Sequence, residues 1–223
     1  MKMSMQQDNK NSQPAIWFAQ AKMSFQSARD RRGFTVIELL VVIAIIALLA
    51  GLVIGAFAMV NEKKIRSRVR AELAALQTVI QSYHEKKGFF PPSNGDVNNS
   101  ATNQLFYELT GTSLTNGTFY PLAGGQPLIA AADVKTFFGT DGFVNSNSED
   151  TKDYFSNLKP GMVKSIPGTD VKVLVVPVKG PGGDFNPWHY DAASNKRHNS
   201  DSYDLWADVV IGSKVHTIGN WKD

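Results

Sequence analysis

One uncharged segment constrains this chain more than any other feature of its sequence. From Leu39 to Val60, 22 consecutive residues carry no charged side chain. As an α-helix at about 1.5 Å per residue, this segment is about 33 Å long, which matches the hydrocarbon core of a bilayer. The sequence therefore predicts a membrane-spanning helix at about residues 39–60.

A carboxylate and a glycine stand at fixed positions directly before this segment. Glu38 is the residue directly before the uncharged run, and Arg31-Arg32-Gly33-Phe34 ends five residues before Leu39. An acidic side chain in a membrane segment is costly and is by default a functional candidate. A Glu near the membrane surface can also reach water at the headgroups. That simpler interpretation does not explain why a glycine precedes Phe34 or why Glu38 follows Phe34 by four residues.

The ten residues from Arg31 to Leu40 resemble the processing site of type IV pilins and pseudopilins. The resemblance implies that a prepilin peptidase cuts between Gly33 and Phe34 and methylates the new amino group of Phe34. It also implies that Glu38 pairs with that amino group on a neighbouring subunit during assembly. Opposite charges attract strongly in a low-dielectric filament core, and each relieves the desolvation cost of the other. A glycine has no Cβ to obstruct a protease cleft.

Residues 1–33 are expected to be a cytoplasmic leader that is removed. Positive charges flank the uncharged segment on both sides, so the positive-inside rule does not decide its orientation. The resemblance places residues 88–223 in the periplasm. A second possibility is that Ala56-Phe57-Ala58 is a signal-peptidase site near Ala58, from which a soluble protein would be exported. That alternative requires an unusually long polar leader and leaves Glu38 unexplained.

The predicted helix continues past the membrane segment to about residue 87. A single apolar stripe runs along one face of this part of the helix. Gly88 and Pro91 predict the end of the helix. Gly51 and Gly55 form a small-xxx-small pair that would let another helix approach closely, although glycine is also simply frequent in membrane helices. The residues of the predicted stripe are Ile65, Val69, Leu73, Leu76, Ile80 and Tyr83.

The remaining sequence predicts a small α+β domain at residues 88–223. Short helices are expected at 102–109 and 149–158, with weak order at 112–128. Strands are expected at 171–178, 203–209 and 214–218. The predicted fold class is α+β: a long N-terminal membrane-spanning spine helix, residues 34–87, with a small C-terminal antiparallel sheet in a pilin-like arrangement. The sheet must cover the outer half of the helix, because neither element buries its apolar side alone.

The C-terminal residues resemble those of the major (G-type) pseudopilin of type II secretion. The similarity lies in Asn186-Pro187-Trp188, Tyr203-Asp204-Leu205-Trp206 and Ile218-Gly219-Asn220-Trp221. Those pseudopilins bind calcium in the loop between the last two motifs. Here Thr217 replaces one ligand, and an apolar hairpin replaces the acidic loop, so Asp204 and Asp208 are weak calcium candidates. No other cofactor is expected.

Several functional classes are disfavoured by composition. The chain has no cysteine, which excludes a disulfide framework, a thiolate metal site and a thiol nucleophile. No catalytic motif is found, so no enzyme activity is expected. The net charge of +3 comes from cations that flank the membrane segment, which does not indicate nucleic-acid binding. The spacings of His189, His198 and His216 match no metal-ligand pattern, so these histidines are expected to lie on the surface or to form hydrogen bonds. Trp188, Trp206 and Trp221 are expected to anchor the core and the sheet.

The sequence thus predicts a structural subunit of a type II secretion pseudopilus or a type IV pilus-like fibre. Its expected location is the bacterial inner membrane, as a single-pass protein that assembles into a periplasmic or surface fibre. Its expected partners are prepilin peptidase/methyltransferase, other pilin or pseudopilin subunits, and an inner-membrane assembly platform. The alternative from another class is a membrane-tethered or fibre-tip binding protein that recognises cargo or a surface.

Overall fold

The computed structural model describes residues 33–94, 99–122, 124–126 and 128–221, with the side chains of residues 53–58 left out. The predicted leader, apart from Gly33, lies outside the described residues. The chain divides into two compact units, Met1–Leu49 and Ala50–Asp223. The fold is α+β, with an N-terminal helix and small antiparallel sheets, and it is compatible with a pilin-like fold.

The first helix, α1, runs from Val36 to Lys87, close to the predicted 34–87. It ends where Gly88 adopts a φ of +82° and donates its N–H to the carbonyl oxygen of His84 at 2.7 Å. Glycine takes this left-handed conformation without a Cβ penalty and so terminates the helix. The predicted apolar stripe is buried from Val69 to Tyr83, and Ile65 packs at its edge.

After α1, the described residues form two short helices and three small antiparallel sheets. The sheet orders are β1-β2-β3, β4-β5 and β6-β7-β8. The core joins the stripe of α1 to buried residues of α2 and of all three sheets. In chain order the elements are α2 Leu105–Thr110, β1 Thr112–Thr115, β2 Thr118–Pro121, β3 Ile129–Ala130, α3 Ala131–Phe138, β4 Val163–Ser165, β5 Lys172–Leu174, β6 His189–Asp191, β7 Asp204–Ile211 and β8 Lys214–Gly219.

The C-terminal sheet is organised by the alternating burial of β7. Leu205, Ala207 and Val209 are fully buried, whereas Trp206 and Asp208 on the other face are partly exposed. This period of two gives the sheet one core face and one outer face. A hairpin at Gly212, with a φ of +63°, connects β7 to β8 near the predicted turn.

Two local predictions are wrong. Residues 149–158 are not helical, because Tyr154 donates its N–H to the Leu109 carbonyl oxygen and Asp153 accepts the N–H of Phe155, contacts that compete with helical hydrogen bonds. Within 112–128, where weak order was expected, β1 and β2 form a hairpin. Its turn is Asn116-Gly117, and both residues have positive φ, at 51° and 74°.

Glu108 is a buried carboxylate that joins three parts of the domain. It is fully buried and accepts hydrogen bonds from the Tyr83 hydroxyl at 3.0 Å and from the backbone N–H groups of Val144 at 2.8 Å and Asn145 at 2.9 Å. Burial raises the pKa of Glu108, and these hydrogen bonds, together with the charge of Lys87, oppose that rise without cancelling it. Glu108 carries no local sequence signal of this role, since all of its donors lie outside α2.

Candidate functional site

The predicted cleavage site lies in extended chain before α1. Phe34 is 77% exposed, and a Cβ placed on Gly33 would meet no heavy atom within 4 Å. The fold of the described residues therefore gives no structural reason for a glycine at position 33.

The start of α1 is fixed by a reciprocal pair of contacts between Thr35 and Glu38. The Glu38 N–H donates to Thr35 Oγ1 at 3.2 Å, while Glu38 Oε2 accepts the Thr35 N–H and the Thr35 hydroxyl, each at 2.8 Å. This is a capping box, in which each side chain satisfies a backbone N–H that the helix leaves without a partner. A negative charge in the first turn also interacts favourably with the helix dipole.

Glu38 thus has a hydrogen-bonding role within its own chain. Both hydrogen bonds that Thr35 donates are accepted by Oε2 of Glu38, and no described residue donates to Oε1 of Glu38. This capping role was not predicted, although Thr-x-x-Glu directly before an apolar run is its sequence signature. The pairing of Glu38 with the amino group of a neighbouring subunit stays a prediction, as do the roles of Gly33 and Phe34 in processing.

The first half of α1 exposes apolar side chains on all of its faces. A helix that is apolar all round is suited to burial rather than to contact with water, and a large exposed apolar surface indicates an interaction site. Phe34, just before α1, is also exposed, and the exposed large apolar residues in the described part of this half-helix are Val36, Ile37, Leu39, Leu40, Val41, Val42, Ile43, Ile45, Ile46, Leu48, Leu49, Leu52, Met59 and Val60.

Among the residues that were searched, no helix has the length and apolar character that crossing a membrane requires. The predicted span, residues 39–60, includes positions 53–58, whose side chains lie outside the described residues. Gly55 and the Ala58 candidate site are among these positions. Gly51 is described, and a Cβ there would meet nothing within 4 Å, so the helix surface at Gly51 is open.

The two weak calcium candidates both have partners within the protein. Oδ2 of Asp204 accepts the His198 N–H at 2.6 Å and lies 3.0 Å from His198 Nδ1, while Oδ1 accepts two N–H groups of Asn199, each at 3.0 Å. Burial opposes ionisation of Asp204, but these contacts outweigh it and lower its pKa. Asp208 accepts the hydroxyl of Thr217 at 2.6 Å. The described residues contain no cluster of three or more His, Asp or Glu side chains that could hold a metal ion.

The aromatic residues of the C-terminal motifs divide between the core and the outer face of the sheet. Trp188 is 1% exposed, as expected for a core anchor. Trp206 and Trp221 are partly exposed and contact each other edge to face, with ring centroids 5.7 Å apart. The predicted hydrogen bonds of the histidines are observed: His189 contacts Ser100, His198 contacts Asp204, and His216 contacts Arg66.

Asn220 ties the end of β8 to the start of β7. Its Oδ1 accepts the Leu205 N–H at 2.9 Å, and its Nδ2 donates to the Tyr203 carbonyl oxygen at 2.9 Å. An amide side chain supplies both a donor and an acceptor, which this position requires. The last of the C-terminal motifs therefore has a structural role, because Asn220 holds the end of β8 against the start of β7.

Comparison with known proteins finds one family model, described as "Prokaryotic N-terminal methylation motif", which matches residues 28–54. No curated protein and no solved structure matches the chain. The matched residues include the Gly33–Phe34 bond, the capping box and the exposed apolar half of α1. The motif indicates a type IV pilin-like prepilin, a substrate of prepilin peptidase that takes part in pilin-type assembly.

Proposed function

We propose that this chain is a structural subunit of a type II secretion pseudopilus or a related type IV pilus-like fibre. In this proposal Gly33 is the last residue of the leader, and Phe34 becomes the N-methylated first residue of the mature subunit. The observation that carries the proposal is the methylation motif at residues 28–54, placed on a helix whose apolar side chains are exposed all round. Such a surface is suited to a membrane before assembly and to neighbouring helices afterwards.

The proposed location is the inner membrane, crossed once by residues 39–60, with residues 88–223 in the periplasm. The subunit works by polymerising through its N-terminal helix on an inner-membrane assembly platform, and it catalyses no reaction. Resemblance of the three C-terminal motifs to those of the major pseudopilin favours a secretion fibre over an adhesive pilus. The three-sheet domain would then form the outer surface of the fibre.

The identity and methylation of the first residue of the mature protein test processing directly. We expect mass spectrometry of the protein from its native membrane to find a chain that begins at an N-methylated Phe34. The control is the same protein from cells that lack prepilin peptidase, which should keep residues 1–33. A mature chain that begins at Met59 would instead show cleavage by signal peptidase and would contradict the proposal.

A large residue at position 33 should block processing. We expect Gly33→Leu to leave most of the protein as uncut precursor, because the side chain obstructs the cleft of the peptidase, whereas Gly33→Ala should be cut in part. In the structure, a Cβ added at Gly33 meets no heavy atom within 4 Å, so the first carbon of either side chain has room. The ratio of precursor to mature protein on an immunoblot measures the effect, and normal cleavage of Gly33→Leu would disprove the assigned site.

A further inference from the structure

A cluster of cations follows the apolar half of α1. Residues 61–72 hold five cations against two acidic residues, and the first cation comes three residues after Val60. Cations on the outer side of a membrane helix oppose the positive-inside bias, so the orientation of the helix does not account for them. These five side chains, here called the basic collar, are Lys63, Lys64, Arg66, Arg68 and Arg70.

Most of the basic collar is available to an external partner. The buried stripe of α1 faces the domain, and every collar residue except Arg66 is exposed. Arg66 pairs with Glu62 at 2.9 Å, and Arg68 lies 3.8 Å from Glu72, whereas the other three cations form no ion pair with any described residue. The Cα–Cβ bonds of a helix tilt toward its N-terminus, so the collar side chains leave α1 in the direction of the apolar segment.

The turn of the β7–β8 hairpin points toward the same part of the helix. Tyr203, directly before β7, contacts Phe90 beyond the C-terminal end of α1, with ring centroids 5.0 Å apart. At the other end of β7, its partner strand β8 places His216 Nδ1 at 2.9 Å from Arg66 Nη2. β7 therefore runs back along α1 toward the apolar segment. Three residues separate His216 from Ser213, so the turn extends up to about 10 Å further in that direction.

The hairpin tip, residues 211–215, combines apolar and basic side chains. Val215 is 55% exposed, and Lys214 beside it is also exposed. The tip contains no acidic residue. The nearby Lys179, whose carbonyl oxygen accepts an N–H of β7 at 2.9 Å, is paired with Asp184 at 3.7 Å. The positive charge of the tip itself therefore comes from Lys214.

An anionic membrane surface fits this combination of groups. Lys and Arg have apolar stems and charged ends, so they suit the boundary between acyl chains and headgroups, as does an exposed apolar side chain beside them. Each Lys or Arg near an anionic membrane surface contributes favourable electrostatic free energy. An acidic protein surface would account for the cations, but not for the exposed Val215 or for the place of the collar directly after the apolar half of α1.

We propose that the basic collar and the hairpin tip bind the headgroups of anionic phospholipids at the outer surface of the membrane that residues 39–60 cross. The inference rests on the membrane location given under the proposed function and adds the class of lipid that the subunit selects there. It concerns the subunit before assembly and does not depend on fibre formation.

The test uses the full-length protein in lipid nanodiscs with one chain in each disc. Because the chain has no cysteine, a fluorophore can be attached at a single introduced one, here Ser213→Cys in the hairpin tip. The quenchers are phosphatidylglycerol and phosphatidylcholine that carry the same nitroxide on the acyl chain next to the glycerol. We expect phosphatidylglycerol to quench this label about threefold or more better at low salt, and the preference to disappear at about 1 M salt, where the Debye length is about 3 Å.

Two further labels separate this inference from the membrane location itself. Ala47→Cys lies within the proposed span, so its label should be quenched by a nitroxide at the end of the acyl chain, whichever headgroup the lipid carries. Ser200→Cys is an exposed matched change near Phe90, at the opposite end of the domain, and its label should be quenched by neither lipid. A quenched Ala47 label with an unquenched Ser213 label would overturn the docking inference alone, whereas an unquenched Ala47 label would overturn the membrane location on which it rests.

Charge removal identifies the residues that select the lipid. Lys63→Gln/Lys64→Gln should reduce the preference for phosphatidylglycerol at the Ser213 label to less than about 1.5-fold, and Lys214→Gln should reduce it in part. The matched control is Lys86→Gln/Lys196→Gln, which removes two exposed cations outside the collar and the tip and should leave the preference unchanged. All of these changes are at exposed positions, and an unchanged near-ultraviolet circular dichroism spectrum verifies the fold of each variant.

Three other results would overturn the proposal. Equal quenching of the Ser213 label by the two lipids at low salt would show that anionic headgroups are not selected. A preference that survives in Lys63→Gln/Lys64→Gln would place the lipid site elsewhere. Equal quenching with one chain per disc, combined with loss of quenching when two chains share a disc, would assign this surface to a second copy of the subunit.

Discussion

Replacing Glu38 with glutamine is expected to reduce fibre yield by about tenfold or more while leaving membrane insertion and cleavage unchanged. Glutamine retains an oxygen that accepts the Thr35 N–H, so the capping box survives the change. What disappears is the negative charge that would pair with the amino group of a neighbouring subunit. Glu38→Ala removes both the charge and the cap and should be at least as defective.

Thr35→Ala is the matched control for this prediction. It removes the hydroxyl that contacts Glu38 but preserves the carboxylate, so we expect a loss of fibre yield of less than about threefold. The measurement is the amount of subunit in sheared or sedimented fibres, from cells that contain the complete assembly system. If Glu38→Gln assembles as well as the wild type, the charge pair has no role and Glu38 serves the cap alone.

Replacing Glu108 with alanine should strongly destabilise the C-terminal domain. It leaves the Asn145 N–H and the Tyr83 hydroxyl buried, and the Val144 N–H partly buried, without an acceptor. At about 1–3 kcal/mol for each donor, the free energy of unfolding should fall by about 3 kcal/mol or more. For a domain of this size, that corresponds to a decrease in Tm of about 6–12 °C.

The measurement is a thermal unfolding curve of the full-length protein in detergent micelles, followed by near-ultraviolet circular dichroism. Tyr83→Phe removes one of the three donors and should cost about 1 kcal/mol. Glu149→Gln, an exposed change, should have no effect. A Tm for Glu108→Ala within 2 °C of the wild-type value would contradict the role assigned to Glu108.

The pH dependence of stability provides a second test of Glu108. Because burial raises its pKa above the ordinary value of 4.5, the folded state binds a proton that the unfolded state has released. The unfolded state then binds fewer protons, and the stability contributed by Glu108 falls as the pH rises above 4.5. Glu108→Gln has no ionisable group at this position and should lack that part of the pH dependence.

Elements with local or periodic signals were predictable from the sequence. The stripe from Val69 to Tyr83 repeats every three or four residues and is buried as expected. The β7–β8 hairpin combines alternating apolar residues with a glycine turn, and it lies where the sequence places it. In both cases the pattern of a single element already determines which of its faces is buried.

Elements that depend on distant partners were not predictable in the same way. The apolar residues at 154, 155 and 158 suggest a helix, yet the Leu109 carbonyl oxygen, far away in the sequence, takes the N–H of Tyr154. Glu108 has the same character, because its three donors are distant in the sequence and meet it only after the chain has folded. The Asn116-Gly117 turn and the capping box are different, since both carry short-range signals that the sequence analysis did not use.

The capping box has a consequence for how subunits meet. In solution, a glutamate side chain on a helix surface samples several rotamers, and binding a partner restricts it to one of them at an entropic cost. Thr35 holds the Glu38 carboxylate in one direction before any neighbour arrives. In a fibre of the proposed kind, an incoming amino group therefore encounters a preorganised acceptor, and Thr35 acts on the speed and accuracy of docking without itself touching the neighbour.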